Sequence, residues 1–124
     1  FRVPHSQWTN AYGYRIDTPD RSIVISGDTR ESDAVADACN GCDVLIHEVM
    51  SDSGYAMIPP ARQPYHAAAH TPATAVGRVA TNGRAKMVIL SHLLFFGSTP
   101  DRILREVRST YAGRVVLAKD LDVY

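Results

Sequence analysis

Three short apolar runs in the sequence each end in a side chain that can bind a metal ion or transfer a proton. Residues 22–26 lead into Gly27-Asp28-Thr29, residues 43–46 into His47-Glu48, and residues 87–90 into Ser91-His92. Each run has the length and composition of a buried strand. Because ligands in layered α/β folds bind outside the carboxyl ends of strands, three such endings in one small chain predict a metal-dependent active site.

The chemistry that these side chains could support is metal-assisted hydrolysis. Bound zinc lowers the pKa of its water from 15.7 to about 7, so that hydroxide is available at neutral pH. Asp28 can bridge two cations because a carboxylate has two oxygens, and Gly27 keeps the turn slim. His5 and His92 supply imidazole ligands. A lone histidine after a strand is more often structural, but the shared strand-end placement favours metal ligation at His5, Asp28 and His92.

A second pair of histidines, His66 and His70, stands four residues apart in H-A-A-A-H. This spacing can bind zinc on a helix, but Ala67 takes the place of the glutamate base of H-E-x-x-H, and Pro64 argues against a helix there. We therefore expect His66 in a loop. His70 directly precedes Thr71-Pro72, a predicted helix start that favours anions. His70 could donate to a substrate oxyanion or protonate a leaving group.

Cys39 and Cys42 form a C-N-G-C motif with no second pair, so a structural zinc knot is not expected. Cys42 directly precedes a predicted strand, where cysteine is often a small hydrophobic residue. Packing in the core is the favoured interpretation. A disulfide and a metal ligand are the alternatives.

The elements that must position these residues alternate between strand and helix from residue 21 onward, which predicts an α/β layer fold. Strands are predicted over residues 11–17, 21–26, 43–47, 87–90, 115–118 and 121–124. Helices are predicted over residues 31–39, with Ser32 as the N-cap, from Thr71-Pro72 to Asn82-Gly83, and from Thr99-Pro100. Residues 50–65 carry three prolines and are predicted to form a surface loop.

The bulk properties are those of one ordinary globular domain. The 124 residues include 13 basic and 13 acidic side chains, so no general attraction to nucleic acid or to an anionic membrane is expected. No apolar run approaches the roughly 20 residues of a membrane span, and no signal peptide is visible. The chain begins at Phe1, so its compartment cannot be inferred from the sequence.

Four segments together resemble the metallo-β-lactamase superfamily, and most closely its ribonuclease Z and arylsulfatase-like branch. They are Ser26-Gly27-Asp28-Thr29-Arg30, residues 43–48, His70-Thr71-Pro72-Ala73 and Leu90-Ser91-His92. His5 followed by residues 11–16 is similar to that branch's ligand histidine and the strand after it. The resemblance implies that His5 binds one zinc, His92 a second, and Asp28 both.

The resemblance also implies roles in proton transfer. His47-Glu48 matches the start of the branch's His-Glu-Ala-Thr motif, with Val49 and Met50 departing from its end. The glutamate of that motif and the later histidine, here Glu48 and His70, are implicated in proton handling at the scissile bond. A buried orienting carboxylate is an equally good interpretation of Glu48.

The superfamily's His-x-His-x-Asp-His signature, which supplies four residues to the metal pair, does not occur in the sequence. Three ligands alone cannot complete two catalytic zinc sites. We therefore expect residues 1–124 to form the C-terminal half of a four-layer αββα sandwich. An N-terminal half of the same protein or a partner chain would supply the missing ligands, and two zinc ions or other divalent metals would occupy a complete site.

Two further departures bear on the substrate. The tRNA-gripping insertion of ribonuclease Z is reduced to a hairpin between His5 and Asp28, and the apolar residues 93–97 replace a Ser-Arg-Tyr-like stretch. These features favour hydrolysis of a small ester (aryl sulfate, phosphodiester or lactone) over binding of nucleic acid. The alternatives are a tRNA 3′-processing endoribonuclease and a non-catalytic remnant or subunit interaction module. A homo-oligomer is expected, with no membrane partner.

Overall fold

Five strands form a single sheet in chain order in the computed structural model, which describes residues 1–124. They are β1 (Tyr14–Asp17), β2 (Ser22–Ile25), β3 (Val44–Met50), β4 (Met87–Leu94) and β5 (Arg114–Leu117). β1 pairs antiparallel with β2, and every later pair is parallel. The prediction of an α/β fold is confirmed, and the parallel strands bring their carboxyl ends to one edge of the sheet.

The helices lie between the strands, as crossover connections of a parallel sheet require. They are α1 (Asp33–Cys39), α2 (Asp52–Tyr55), a short 3₁₀ helix (Pro60–Arg62), α3 (Gln63–Ala69), α4 (Ala73–Asn82) and α5 (Pro100–Arg108). α1, α4 and α5 contribute to one hydrophobic core with the sheet; fully buried members include Val35, Val76, Ile103, Leu45 and Val88. None of the helices has the length and apolar character needed to cross a membrane.

The two faces of the sheet differ sharply in burial. Successive side chains of a strand point to opposite faces of the sheet. On one face, Val24, Leu45 and Val88 are completely buried beneath the helices. The other face, here called the open face, is apolar but has no layer over it. Tyr14 is 61% exposed. The apolar residues that share this face are Tyr14, Ile16, Ile23, Ile25, Val44, Ile46, Met87, Ile89 and Val116, and Arg114 joins them in the edge strand β5.

Several predicted boundaries are wrong, each for a local reason. β4 continues to Leu94, so that Ser91-His92 lies inside the strand and not at its end. Residues 50–65 include α2, the 3₁₀ helix and the start of α3, where Pro64 occupies the first turn, a position that needs no N–H donor. Residues 121–124 form no strand.

Of the three helix starts predicted from the sequence, one is capped by a side chain and two are not. Thr99 accepts a hydrogen bond from the Arg102 N–H, so the predicted cap of α5 is confirmed. Ser32 occupies the N-cap position of α1 but makes no capping hydrogen bond. α4 begins one residue later than predicted, at Ala73, and the Thr71 hydroxyl, which makes no capping hydrogen bond, donates instead to the Thr29 carbonyl.

Cys39 and Cys42 form a disulfide, and both are fully buried in the core. The favoured interpretation of unbonded packing is therefore wrong, and the disulfide alternative is confirmed. Asn40 ends α1 in the left-handed region, and Gly41 follows at a φ of 86°. This tight turn brings the two Cα atoms to 4.7 Å, within the range that a disulfide can span.

Candidate metal-binding and catalytic site

Four of the side chains singled out from the sequence meet near the carboxyl ends of β2, β3 and β4. The His70 ring lies between those of His5 and His92, with ring centroids 5.3 Å and 5.5 Å away. The His92 Nε2 atom is 3.5 Å from an oxygen of Asp28. The tertiary structure thus brings together residues that lie up to 87 positions apart in the chain.

His92 is positioned by an irregularity within β4. The pairing of β4 with β3 shifts register between Glu48 and Val49, and His92 is the residue that the shift leaves without a partner. Its φ of 42° is in the left-handed region, which non-glycine residues enter uncommonly. A bulge of this kind re-aims a side chain, and here it directs the imidazole toward Asp28 although β4 continues beyond it.

His5 is held from outside the sheet. It forms an isolated bridge with Trp8 and does not end a sheet strand, so the strand-end placement inferred for it is wrong. Its Nδ1 donates to the Ala69 carbonyl over 2.8 Å. A carbonyl can only accept, so Nδ1 carries a proton; in the neutral imidazole this leaves the lone pair on Nε2, the arrangement typical of a metal-binding histidine.

The position before Asp28 must be a glycine, because its backbone conformation and its surroundings leave no room for a side chain. Gly27 has a φ of 63°, and a Cβ there would lie 2.5 Å from the Tyr12 carbonyl oxygen. The glycine therefore permits close approach to the neighbouring backbone. The Asp28 side chain is 45% exposed and its one ionic contact is with His92, which leaves carboxylate oxygens available to a ligand.

Glu48 organises the site from beneath. Its side chain is 1% exposed, and one oxygen accepts hydrogen bonds from the N–H groups of Thr29 and Thr71 and from Nδ1 of His70, over 3.1, 3.1 and 3.3 Å. The other oxygen has no partner. Burial raises the pKa of the Glu48 carboxyl above its ordinary value, while the hydrogen bond and charge of His70 oppose that rise. Glu48 thereby connects the turns that carry Asp28 and His70.

His47 does not belong to this cluster. It pairs with Leu90 across β3 and β4, is fully buried, and donates from Nδ1 to the Glu48 carbonyl over 2.6 Å. Burial lowers its pKa to about 4, so His47 is neutral at ordinary pH. Of the two residues in the His47-Glu48 pair, Glu48 alone reaches the site.

His66 lies in the last turn of α3 and is buried, so the prediction of a loop residue is wrong. Its ring packs against Phe96 at 4.7 Å and Tyr65 at 5.3 Å, and lies 5.9 Å from His70. Burial lowers the pKa of His66, and the neighbouring positive charges of His70 and Arg62 lower it further. Sequence reasoning missed Tyr65 and Phe96, because an aromatic residue beside a histidine carries no specific signal.

The cluster has the donor chemistry of a zinc site but not a complete ligand set. Imidazole nitrogens and a carboxylate are ligands that zinc prefers. No three histidine, cysteine, aspartate or glutamate side chains of the chain converge closely enough to hold a metal ion by themselves. The residues present therefore fit one part of a metal site, to which further ligands must be added.

The sequence is similar to ribonuclease Z proteins, although no family model matches it. Ribonuclease Z of Myxococcus xanthus is 35% identical over 104 residues, which are 82% of this chain and 32% of that protein. The chain thus spans about a third of the length of the curated relatives it matches. This partial coverage fits one half of the larger fold.

Solved structures show the same fold. The metallo-β-lactamase fold protein YhfI from Bacillus subtilis superposes with a TM-score of 0.80 at 22% identity, over 98% of this chain and 47% of that one. The short form of human tRNase Z gives a TM-score of 0.57 at 23% identity, over 90% of this chain and 37% of that one. The homologues are ribonuclease Z proteins and the structural neighbours are metallo-β-lactamase fold proteins, so the chain matches the metallo-β-lactamase superfamily and its ribonuclease Z branch.

Proposed function

We propose that this chain contributes to a metal-dependent hydrolase that cleaves a phosphodiester bond near the 3′ end of an RNA; the relatives that it matches are named ribonuclease Z. One observation carries the proposal: His5, Asp28, His70 and His92 meet at one sheet edge, in a chain that is 35% identical to a ribonuclease Z. Phosphodiester hydrolysis needs metal ligands and a proton donor, and this cluster offers both.

The proposal includes a second half of the fold. The open face is apolar across all five strands, and an apolar sheet face is stable when another layer covers it. This chain matches 47% of the YhfI structure, so the remainder of a protein of this class is long enough to form such a layer. We propose that residues 1–124 are the C-terminal half of an αββα sandwich, and that the N-terminal half supplies the remaining metal ligands.

Each residue then has a distinct role. His5, Asp28 and His92 would hold metal ions together with ligands from the other half. The metal, when bound, supplies hydroxide at neutral pH and stabilises negative charge on the phosphoryl oxygens. His70 is held through Nδ1 by Glu48, which leaves Nε2 to donate a proton to the departing oxygen. Glu48 acts through His70 and is a positioning residue in this scheme.

Hydrolysis of a small ester, the interpretation that the sequence favoured, has less support. It relied on an apolar rim formed by residues 93–97. In the structure, Leu93 and Leu94 belong to β4, and both Leu93 and Phe95 pack against the core. Phe96 is left as the one large apolar side chain of this stretch beside a cavity. The similarity to ribonuclease Z proteins favours the endoribonuclease alternative.

Replacing His70 in the full-length protein tests the proposed chemistry. His70→Ala should lower kcat on an RNA with a 3′ extension by on the order of 10²–10⁴-fold. The loss should be much smaller on a nitrophenyl phosphodiester, whose leaving group departs without a proton, and bound zinc should not change. Equal losses on both substrates, or loss of zinc, would contradict the assigned role. A wild-type protein that binds zinc but cleaves neither substrate would overturn the proposed function.

A further inference from the structure

A cavity of about 310 Å³ lies between α2 and the turn after β4, outside the histidine cluster. Its lining residues are Ser53, Gly54, Met57, Phe96, Gly97 and Ser98. The Phe96 ring contacts His66 at 4.7 Å, and the His66 ring lies 5.9 Å from that of His70. The cavity thus lies two aromatic rings away from His70, the residue that would protonate the leaving group.

The walls of the cavity are fixed. A Cβ on Gly54 would lie 2.1 Å from the Phe95 carbonyl oxygen, so α2 packs directly on the backbone of the turn. Phe96 has a φ of 49°, a conformation that is unusual for a bulky residue and persists only where the surroundings impose it. The backbone of Phe96 is thus constrained, and its ring packs against His66 at one side of the cavity.

The hydrogen bonds between the serine hydroxyl groups at the cavity wall have a defined donor-to-acceptor direction. Ser51 Oγ donates to the Glu106 carboxylate, so it can only accept in its 3.2 Å contact with Ser53. Ser53 Oγ then donates to Ser51. Because the Ser53 hydrogen is used in this way, Ser53 Oγ must accept in its 3.3 Å contact with Ser98, and Ser98 Oγ donates. Both hydrogens are used within the chain of hydroxyls, which leaves lone pairs of Ser53 and Ser98 to accept from a ligand.

We propose that this cavity binds a nucleobase that carries an exocyclic amine, in a nucleotide adjoining the scissile phosphate. The inference rests on the proposed function and adds a base-binding subsite to it. Phe96 offers an aromatic surface for stacking, which every base can use. The serine oxygens accept from the amine of adenine, cytosine or guanine, whereas uracil presents a carbonyl oxygen, a second acceptor, where cytosine carries its amine.

The test compares RNA substrates that differ in one nucleotide. The full-length protein is assayed on otherwise identical RNAs with adenine, cytosine, uracil or no base, placed on either side of the scissile bond in turn. At one of the two positions, kcat/KM should be about fivefold higher for adenine and cytosine than for uracil, the effect expected of one hydrogen bond. Equal rates for all bases at both positions would overturn the proposal.

Variants separate the two parts of the pocket. Ser98→Ala should abolish the preference over uracil, while Ser98→Thr, which keeps the hydroxyl, should retain it. Phe96→Ala should lower kcat/KM about tenfold on RNAs with a base and leave the abasic RNA unchanged. A loss that is equal on the abasic RNA would mean that Phe96 is merely structural and would contradict the subsite.

A binding measurement keeps this inference separate from the proposed function. AMP and CMP should shift the amide resonances of residues 96–98 in the full-length protein, UMP should shift them less, and Phe96→Ala should remove the effect. If no RNA is cleaved, the proposed function is wrong, but this titration still shows whether the cavity binds a nucleobase. Absent or equal binding of the three nucleotides would overturn it.

Discussion

At the scale of single residues, the side chains that meet at the sheet edge contribute little to the core. Asp28 and His92 are about half exposed and contact each other, whereas Glu48 is buried and accepts three hydrogen bonds from the surrounding turns. Substituting Asp28 should therefore affect ligand binding, and substituting Glu48 should affect the geometry of His70.

Asp28→Ala in the full-length protein should abolish hydrolysis and reduce bound zinc. It should change the free energy of unfolding of the metal-free protein by no more than about 0.5 kcal/mol, because the side chain is exposed and outside the core. Zinc per chain by mass spectrometry and a thermal melt measure the two effects. Asp20→Ala in the β1–β2 hairpin is the matched control. Near-normal turnover of Asp28→Ala at limiting zinc would show that Asp28 is not a metal ligand.

His47 predicts a dependence of stability on pH. Its pKa is about 4 in the folded state and near 6.5 when unfolded, so the unfolded chain takes up the proton first as the pH falls. The stabilising contribution of neutral His47 is present above about pH 6.5 and is lost as the pH falls from there toward about 4. Urea titrations should show wild type losing roughly 3 kcal/mol relative to His47→Gln over this interval. Parallel pH profiles of the two proteins would contradict this.

At the scale of elements, two serine or threonine residues predicted as N-caps behave differently. The Thr99 hydroxyl accepts a hydrogen bond from the Arg102 N–H at the start of α5, whereas Ser32 makes no capping bond at the start of α1. Sequence identifies the residue type that favours a helix start, and side-chain geometry decides whether a hydrogen bond forms.

This difference can be measured by replacing each residue with alanine. Thr99→Ala should lower the free energy of unfolding by about 1 kcal/mol, since an N–H donor at the first turn of α5 loses its partner. Ser32→Ala, the matched control, should cost only a few tenths of a kcal/mol. Chemical denaturation of both variants gives the comparison, and equal costs would show that the Thr99 hydrogen bond contributes nothing.

At the scale of the whole molecule, the open face distinguishes a half-domain from a complete one. Leu45 and Ile46 are neighbours in β3 that point to opposite faces: Leu45 is fully buried beneath the helices, and Ile46 is half-buried on the open face. If another layer covers the open face in the full-length protein, the two side chains have equivalent surroundings there.

Alanine substitutions of these neighbours test the proposed second half. In the full-length protein, Leu45→Ala and Ile46→Ala should each cost roughly 2–5 kcal/mol, the range for deleting a large buried aliphatic side chain. A cost for Ile46→Ala below half that of Leu45→Ala would mean that no layer covers the open face. The oligomeric state stays a prediction of its own, to be measured by light scattering on the same protein.

The sequence by itself determined the alternation of strands and helices, the α/β fold class and most of the residues that meet at the sheet edge. Strand composition, the Asn40-Gly41 stop and the Thr99-Pro100 start are local signals. These signals act within a few residues, so they can be recognised from the sequence without a structure. The order of motifs along the chain was sufficient to indicate the superfamily.

Tertiary structure alone decided the bulge that directs His92, the buried helical position of His66, the disulfide and the cavity beside Phe96. The bulge and the cavity depend on partners that the chain brings together from a distance, as with the hydroxyls of Ser53 and Ser98, which lie 45 residues apart. The register shift in β4 arises from pairing with β3, and no property of residues 87–94 taken alone specifies it. Contacts of this kind are set by packing across elements, which local sequence preferences do not encode.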